Sequence, residues 1–451
     1  MIETILRGLL GMGLILGIAL LFSRHRSKVR WALVGKGLLI QLVFGILVIK
    51  GDALRALWSP LGWPKSGFDF LSKAFVKVLG FTTQGANFIF GSLANSPGST
   101  DSLGFFFAFQ VLPTIIFFAA LMSVLYYLGV MQRVVQGMAW VMVKILGTSG
   151  AESLSNTANI FVGQTEAPLM IRPFLKDLTE SELLTVMVGG LATIAGGVMA
   201  AYVQMLGFSY AELHGIPISD AQVRFAAQLL GASIMAAPAG LVISKILIPE
   251  TGTPLTLGHV RVPKEKNASN LIDAAASGAS DGLKLALNIA AMLLAFIALI
   301  AMSNYLLGLV GRIGDLNGFL LTTFGKPLSL ELLFGLVLQF VAYGIGFPWA
   351  ESFQVGSLLG TKLVLNEFVA YLDMSAMIKS GALYSDKAIT MAAFALCGFA
   401  NFSSIAILMG GLGPLAPERR KDISRLGLRA LLGGTLATMM TAAIAGVLVS
   451  L

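Results

Sequence analysis

The chain has 451 residues, of which 56% are hydrophobic and only 12% are charged, and its mean hydropathy is +0.83. Soluble domains carry about 25% charged residues, so the composition excludes an ordinary soluble domain and predicts a polytopic membrane protein. A single cysteine, Cys397, excludes an internal disulfide. The net charge of +8 does not indicate nucleic acid binding. The basic residues cluster in short loops, which is the positive-inside pattern of membrane proteins.

The first part of the chain predicts three membrane helices, at residues 5–22, 31–49 and 103–128. Between Arg24 and Arg30 the chain is strongly basic, which places that loop in the cytoplasm and the N-terminus outside. Two further segments are amphipathic, and the one with belt aromatics is expected to lie in the membrane interface. They are residues 52–81, with Trp58 and Trp63, and residues 131–146. We assign residues 1–147 mainly to a scaffold.

Five more spans follow and bring the total to eight. They are predicted at residues 183–206, 223–247, 283–307, 388–408 and 426–448. The first of these is expected to be broken at Gly189-Gly190 and again at residues 193–197. The fourth is expected to be broken at residues 398–404. Residues 249–270 and 417–425 are predicted cytoplasmic loops, whereas residues 208–221 and 311–327 are predicted outer loops.

A short polar stretch within an apolar region predicts a re-entrant hairpin. Residues 163–168 read GQTEAP, and the apolar runs on either side are too short to cross a bilayer. We expect the chain to turn at Gly163 and Pro168 and to carry Glu166 at the tip, in a cavity rather than in lipid. The alternative, a solvent loop between soluble helices, is disfavoured by the composition. A second hairpin is predicted at residues 328–372, with its turn at residues 344–352 and Glu367 in its outgoing arm.

The order of hairpin, broken helix and intact helix occurs twice, at residues 151–247 and 328–448, with the hairpins entering from opposite sides. Such an inverted repeat frames a site near the midplane in secondary transporters. The predicted fold is therefore all-α, with eight transmembrane helices, two re-entrant hairpins and an inverted repeat with broken helices. Residues 148–250 and 328–451 would form two transport-domain repeats, and residues 251–327 a cytoplasmic loop and a scaffold helix.

Four polar clusters should meet at that depth. They are Gln164-Thr165-Glu166, Thr193-Ile194, Asn366-Glu367, and Asn401 with Ser404. Amides, hydroxyls and two carboxylates suit an uncharged solute with hydroxyls or a base, and Phe399 offers a ring for stacking. No pair of basic residues is present to hold a nucleotide. Structural readings remain open: Glu166 could pair with Arg172, Glu367 could pair with Lys362, Asn401 and Ser404 could join helices, and Phe399 could be core.

Three stretches carry a family resemblance, and they read GQTEAPLMIRPFL, NEFVAY and CGFANFSSI. They resemble motifs of the bacterial concentrative nucleoside transporters, and the resemblance covers nearly the whole chain. It implies a homotrimer in the bacterial cytoplasmic (inner) membrane that takes up nucleosides of the uridine, cytidine and adenosine class with sodium. The substrate residues that it implies are Gly163, Gln164, Thr165, Glu166, Val198, Glu367, Phe399, Asn401 and Ser404.

Within that set, the resemblance places Gln164, Thr165, Glu166 and Val198 on the nucleobase, with Phe399 near it. It places Glu367, Asn401 and Ser404 on the ribose. The resemblance also implies a sodium ion among the carbonyl groups of Asn159, Val162 and Ile194 and the hydroxyl group of Thr193.

Other functions remain as alternatives. A proton could replace sodium, with Glu166 or Glu367 as its carrier, but sodium fits better because both carboxylates already have solute-binding roles. A channel is less favoured because no filter-like run is present. A membrane enzyme using Glu166 and Glu367 as acid and base is also less favoured, since no hydrolase motif accompanies them. We expect no cofactor other than the coupling ion.

Overall fold

The structure is a computed structural model and describes residues 2–95, 101–258, 268–324 and 326–451. Within these ranges the secondary structure is helical, and the only β-type pairing is an isolated bridge between Ser149 and Leu257. The predicted all-α class is therefore confirmed. Most of the predicted loop at residues 95–101 and the basic positions 261–266 lie outside the described residues.

The N-terminal part contains seven α-helices in its described residues. They are α1 Ile2–Leu21, α2 Trp31–Ile49, α3 Gly51–Leu57, α4 Trp63–Phe90, α5 Phe107–Gln110, α6 Leu112–Tyr127 and α7 Val130–Leu146. The amphipathic helix predicted at residues 52–81 is in fact α4, and α3 is separate. A 3-10 turn that contains Pro60 separates the two, and Pro64 lies in the first turn of α4, where the missing N–H costs nothing. Phe68 and Leu79 are buried on one side of α4 and Phe70 is exposed on the other, as expected for an amphipathic helix.

The middle part begins with a short helix and a 3-10 segment that together form hairpin 1. The helical segments of this middle part are α8 Gly150–Ala158, the 3-10 segment Ala167–Asp177, α9 Glu180–Ala192, α10 Gly196–His214, α11 Ile218–Leu247, α12 Leu271–Val310 and α13 Leu316–Phe324. The predicted outer loop at residues 208–221 is wrong, because α10 continues to His214 and only residues 215–217 separate it from α11. Part of the predicted outer loop at residues 311–327 is also helical, as α13.

The predicted break at Gly189-Gly190 is also wrong, since both glycines lie inside α9. Their role is close packing against hairpin 1. A Cβ at Gly189 would lie 2.5 Å from Asn156 Oδ1, and one at Gly190 would lie 2.8 Å from Gln164 Cβ. Only residues 193–195 leave helical geometry, and we call them the first break.

The C-terminal part contains α14 Leu330–Gly344, α15 Trp349–Val364, α16 Glu367–Lys379, α17 Asp386–Leu396, α18 Phe402–Leu415 and α19 Arg420–Ser450. Residues 397–401, between α17 and α18, form the second break. Helices α14 and α15 are bent by 118° at the turn that we predicted as the hairpin tip. That turn does not reach the site described below.

The second hairpin lies one helix further along than predicted. Glu351, near the start of α15, accepts hydrogen bonds at 2.9 Å from the backbone N–H groups of Tyr384 and Ser385, which follow the end of α16. Helices α15 and α16 are therefore the two arms of hairpin 2, and residues 365–366 are its turn. Asn366 begins the second arm as an N-cap, because its side chain accepts from the Val369 N–H at 2.9 Å.

The two hairpins have their bases at opposite ends of the molecule. At the base of hairpin 1, Ser149 Oγ donates to Glu182 Oε1 at 2.5 Å. Nearby Glu180 pairs with Arg24 at 2.6 Å and with Arg425 at 3.1 Å. The opposite end holds the base of hairpin 2. Helix α9 begins at the base of hairpin 1, and α17 begins at the base of hairpin 2. The broken helices α9–α10 and α17–α18 therefore run antiparallel, as an inverted repeat requires.

Six helices among the described residues are long and apolar enough to cross a membrane. They include the α5–α6 and α9–α10 segments together with α2, α11, α12 and α19. The shorter apolar stretch Ile5–Leu21 and the broken pair α17–α18 occupy the remaining two predicted spans. In the most apolar stretch of α9–α10, 89% is buried inside the protein, whereas in the most apolar stretch of α12 only 17% is buried. Helices α9–α10 therefore lie at the centre and α12 at the periphery.

Candidate functional site

A cavity of about 670 Å³ lies where the two hairpin turns meet the two breaks. Its remaining wall comes from α6 and α12. The structure brings all nine predicted substrate residues to this one cavity: Gly163, Gln164, Thr165, Glu166, Val198, Glu367, Phe399, Asn401 and Ser404. Residues that are up to 241 positions apart in the sequence therefore line a single space.

The two broken helices touch at their breaks. Gly398 has φ +122°, and a Cβ there would lie 2.7 Å from the carbonyl oxygens of both Leu191 and Ala192. Only glycine combines that backbone conformation with so close an approach. The contact brings peptide groups freed by both breaks to the edge of the cavity.

Glu367 is the most constrained carboxylate of the cavity. It is 5% exposed and occupies the first turn of α16. One of its oxygens, Oε1, accepts a hydrogen bond from the Tyr202 hydroxyl at 3.1 Å, and Oε2 accepts one from Asn401 Nδ2 at 3.0 Å. Lys362 does not pair with it in the structure. The lysine ammonium instead donates to the Ala395 carbonyl at 2.8 Å and to Thr438 Oγ1 at 3.3 Å.

Asn401 both donates and accepts hydrogen bonds at the second break. Its amide nitrogen contacts Glu367, and its Oδ1 accepts hydrogen bonds from the Ser404 N–H at 2.9 Å and from Ser403 Oγ at 2.7 Å. Asn401 is thus the N-cap of α18 and fixes the start of that helix beside the carboxylate. The Ser404 side chain faces the same cavity and is 2% exposed.

The tip of hairpin 1 presents unsatisfied polar groups. Gln164 is 6% exposed, and its Oε1 is a buried acceptor without a hydrogen-bond partner in the described part of the chain. Glu166 makes no ion pair within 4.0 Å with any described residue, so the predicted alternative partner Arg172 does not hold it. An amide and a carboxylate are therefore free to bind the polar edge of a ligand.

The four predicted sodium residues lie where hairpin 1 meets the first break. The Gly196 N–H, directly after that break, donates to the Phe161 carbonyl at 3.0 Å. Thr193 Oγ1 donates its proton to the Gly189 carbonyl at 2.8 Å, which leaves the hydroxyl lone pairs available to a cation. Asn159 is 1% exposed and its Oδ1 lacks a hydrogen-bond partner among the described residues. Val162 lines the cavity and Ile194 is buried beside it.

These groups are neutral oxygens, which suit a hard monovalent cation better than a transition metal. The described residues contain no cluster of three His, Cys, Asp or Glu side chains that could hold a metal ion.

Comparisons with known proteins identify the family. Three family models match: "Na+ dependent nucleoside transporter N-terminus" at residues 10–93, "Nucleoside recognition" at residues 108–209, and "Na+ dependent nucleoside transporter C-terminus" at residues 228–446. The nucleoside permease NupC of Helicobacter pylori is 40% identical, and the alignment covers 100% of this chain and 99% of that protein. An uncharacterized transporter of Bacillus subtilis, YutK, is 46% identical, with 99% and 100% covered.

The chain belongs to the concentrative nucleoside transporter family. Two solved structures illustrate the family fold. CNTnw in an inward-facing substrate-bound state has a TM-score of 0.82 at 42% identity, covering 99% of this chain and 98% of that one. A substituted CNTnw in an outward-facing state has a TM-score of 0.84 at 41% identity, covering 100% of both chains. The protein is thus a multi-pass nucleoside transporter of an alternating-access family, and its relatives are not enzymes.

Several residues of this transporter's cavity were not identified from the sequence. Phe118 and Tyr126 of α6 and Asp281 of α12 also line it. Asp281 carried a signal, because it is an acidic residue in a long apolar helix. Tyr202 does not line the cavity but donates to Glu367, and its signal in the sequence was weak. It follows Val198 by four positions and so shares its face of α10, but a tyrosine in an apolar run resembles ordinary core.

Proposed function

We propose that this chain imports nucleosides by symport with sodium across the bacterial cytoplasmic membrane, as a homotrimer. The observation that supports sodium best is the junction of hairpin 1 with the first break. There Asn159 Oδ1 has no hydrogen-bond partner among the described residues, and Thr193 donates its hydroxyl proton to the Gly189 carbonyl. Buried oxygen lone pairs at this junction are therefore available to a cation. The family descriptions, which name Na+ dependence, support the same ion.

The nucleoside would span the cavity from hairpin 1 to hairpin 2. Gln164, Thr165 and Glu166 would bind the polar edge of the base, with Val198 and Phe399 packing on its faces. Glu367, Asn401 and Ser404 would bind the ribose hydroxyls, because a carboxylate held by neutral donors still has lone pairs for additional donors. The cavity-lining residues include no Lys or Arg, which disfavours phosphorylated nucleosides.

The moving unit would consist of residues 148–250 and 328–451, and the scaffold of residues 1–147 and 251–327. The burial contrast between α9–α10 and α12 supports this division, because α9–α10 is enclosed by the rest of the chain. Exposed apolar residues on α12, such as Leu287 and Leu294, are suited to lipid or to neighbouring copies of the chain.

Sodium is sufficient as a driving ion. One charge moving down 100 mV releases ~2.3 kcal/mol, and a tenfold sodium gradient adds ~1.4 kcal/mol. Together, ~3.7 kcal/mol can hold a neutral nucleoside at roughly a few hundredfold higher concentration inside than outside. A proton-coupled transporter would instead need Glu166 or Glu367 to release its proton on one side only.

The decisive experiment is uptake of radiolabelled uridine and adenosine into proteoliposomes, with an inward sodium gradient or with a pH gradient alone. We expect saturable uptake that follows sodium and leaves the nucleoside unchanged. Uptake that followed the pH gradient and ignored sodium would contradict the proposal and make Glu166 the first candidate for the proton carrier.

The substitution Thr193→Val tests the sodium ligands, because it keeps the volume and removes the hydroxyl. We expect a higher sodium concentration for half-maximal uptake and nearly unchanged substrate affinity at saturating sodium. Thr185→Val is the control for loss of a buried hydroxyl, since Thr185 is equally buried and its hydroxyl bonds to a carbonyl four residues earlier at 2.9 Å, and also to Ser244 Oγ at 2.8 Å. If both variants showed the same sodium dependence, Thr193 would not be a ligand.

A further inference from the structure

Tyr202 connects the two repeats at the ribose end of the cavity. It lies on α10, is 0% exposed, and does not line the cavity itself. Its hydroxyl donates to Glu367 Oε1 at 3.1 Å, whereas Asn401 donates to the other carboxylate oxygen at 3.0 Å. Each oxygen of Glu367 therefore has one donor, and the two donors come from different repeats.

We propose that Tyr202 is a positioning residue for ribose recognition. Two donors on different oxygens fix the plane of the carboxylate, so its remaining lone pairs face the cavity before a nucleoside arrives. A carboxylate held by Asn401 alone could rotate about its last bond, and binding would then have to order it.

The packing of Tyr202 makes this position rigid. Its ring lies 4.3 Å from the ring of Tyr371 and 5.1 Å from that of Phe368, measured between centroids. Phe368 in turn lines the cavity next to Glu367. The tyrosine hydroxyl is therefore held in place by aromatic contacts that a phenylalanine would preserve.

The test is Tyr202→Phe, which removes only the hydroxyl. We expect the affinity for uridine, measured by equilibrium binding at saturating sodium, to fall roughly 5- to 13-fold, because binding must then order the freed carboxylate. The affinity for 2′,3′-dideoxyuridine should change less than about threefold, because that ligand lacks the 2′- and 3′-hydroxyl groups that Glu367 would bind.

The structure offers a matched control in Tyr371→Phe. Tyr371 is also 0% exposed, and its hydroxyl donates to the Ala393 carbonyl at 2.8 Å instead of to Glu367. This variant should lower the thermal stability and leave uridine affinity within about threefold of the parent protein. Equal losses of uridine affinity in both variants, or an equal loss of dideoxyuridine affinity in Tyr202→Phe, would overturn the positioning role.

A double variant tests the route through the carboxylate. If Tyr202 acts through Glu367, adding Tyr202→Phe to Glu367→Gln should cost no further uridine affinity, whereas additive losses would contradict the proposal. If Tyr202→Phe does not fold, 3-fluorotyrosine at position 202 keeps the ring and changes the hydroxyl acidity. Uridine affinity must then change while dideoxyuridine affinity does not.

The proposal rests on the proposed ribose role of Glu367, and the outcomes separate the two. A loss of uridine affinity in Glu367→Gln but not in Tyr202→Phe would overturn the positioning role alone. No loss in either variant would overturn both, and an absence of nucleoside uptake by the parent protein would overturn the proposed function itself.

Discussion

Glu367 shows how single side chains acquire a role through their neighbours. Its sequence context, an Asn-Glu pair between apolar runs, predicts a carboxylate in the outgoing arm of hairpin 2, at the depth of the site. The structure adds the two donors on its oxygens and removes the alternative, because Lys362 bonds to the end of α17 instead. A buried carboxylate with one neutral donor on each oxygen keeps further lone pairs for a ligand with hydroxyl groups.

The first prediction at this scale is that Glu367→Gln costs more uridine affinity than Gln164→Ala. The loss of a charge-assisted pair of bonds is ~2–4 kcal/mol, or roughly 30- to 1000-fold in affinity. Equilibrium binding of uridine to both purified variants measures the difference. Uridine affinity of Glu367→Gln within about threefold of the parent would show that the ribose assignment is wrong.

The site residues were largely predictable because polar groups inside apolar segments are rare and therefore conspicuous. This signal identified Gln164, Glu166, Glu367 and Asn401. It fails for residues whose type is common in the core. Tyr202 could not be recognised, because its hydroxyl partner lies 165 positions away in the sequence.

At the scale of elements, the sequence predicts both breaks, but two of its glycine-containing segments were interpreted wrongly. Gly189-Gly190 looked like a helix interruption, yet these glycines serve the close approach of hairpin 1. The segment 344–352, which contains two glycines and a proline, predicted the tip of hairpin 2. The true tip, Leu365-Asn366, contains neither glycine nor proline. The chain turns there because Asn366 caps the start of α16. Composition alone does not distinguish a packing glycine from a turn glycine, because the difference depends on the neighbouring element.

Gly398 provides the prediction at this scale, through Gly398→Ala. Its φ of +122° and the 2.7 Å approach of two carbonyl oxygens leave no room for a Cβ, so the crossing of the two breaks must shift. We expect transport to be lost and the thermal stability of the purified protein to fall.

Gly381→Ala is the control for backbone strain alone. Gly381 has φ +72°, and a Cβ there would meet no atom within 4 Å. It should cost some stability but leave uridine transport close to that of the parent. Comparable transport losses in both variants would mean that the close contact between the breaks is unimportant.

At the scale of the whole molecule, the two hairpins reach one cavity from opposite ends. The ion pairs of Glu180 with Arg24 and Arg425 bring two basic segments that the charge pattern places in the cytoplasm to the same end. This agreement between charge pattern and tertiary contacts could be anticipated, since the positive-inside rule and the repeat are both properties of the sequence. The contacts of the cavity with α6 and α12 could not, because nothing local in those helices specifies which neighbour they meet.

The last prediction concerns the proposed movement of the hairpin block against the scaffold. Phe107 of α5 and Phe368 of hairpin 2 lie across that boundary with ring centroids 5.4 Å apart. Cysteines at both positions, in a background that lacks Cys397, should be joined by a short bifunctional thiol reagent. If the block moves during transport, the cross-link should abolish uridine uptake into proteoliposomes, and a cleavable linker should restore it on reduction.

The pair Phe44 and Phe68 is the matched control, because both residues belong to the proposed scaffold, neither is among the cavity-lining residues, and their ring centroids are 5.9 Å apart. A cross-link there joins two parts that do not separate in the proposed movement, so uptake should persist. The comparison uses each double-cysteine variant before and after cross-linking, which removes any effect of the substitutions themselves on the cavity. Uptake that survived a complete Phe107→Cys to Phe368→Cys cross-link would exclude alternating access by this block. Transport would then have to arise from opening of the hairpin tips alone.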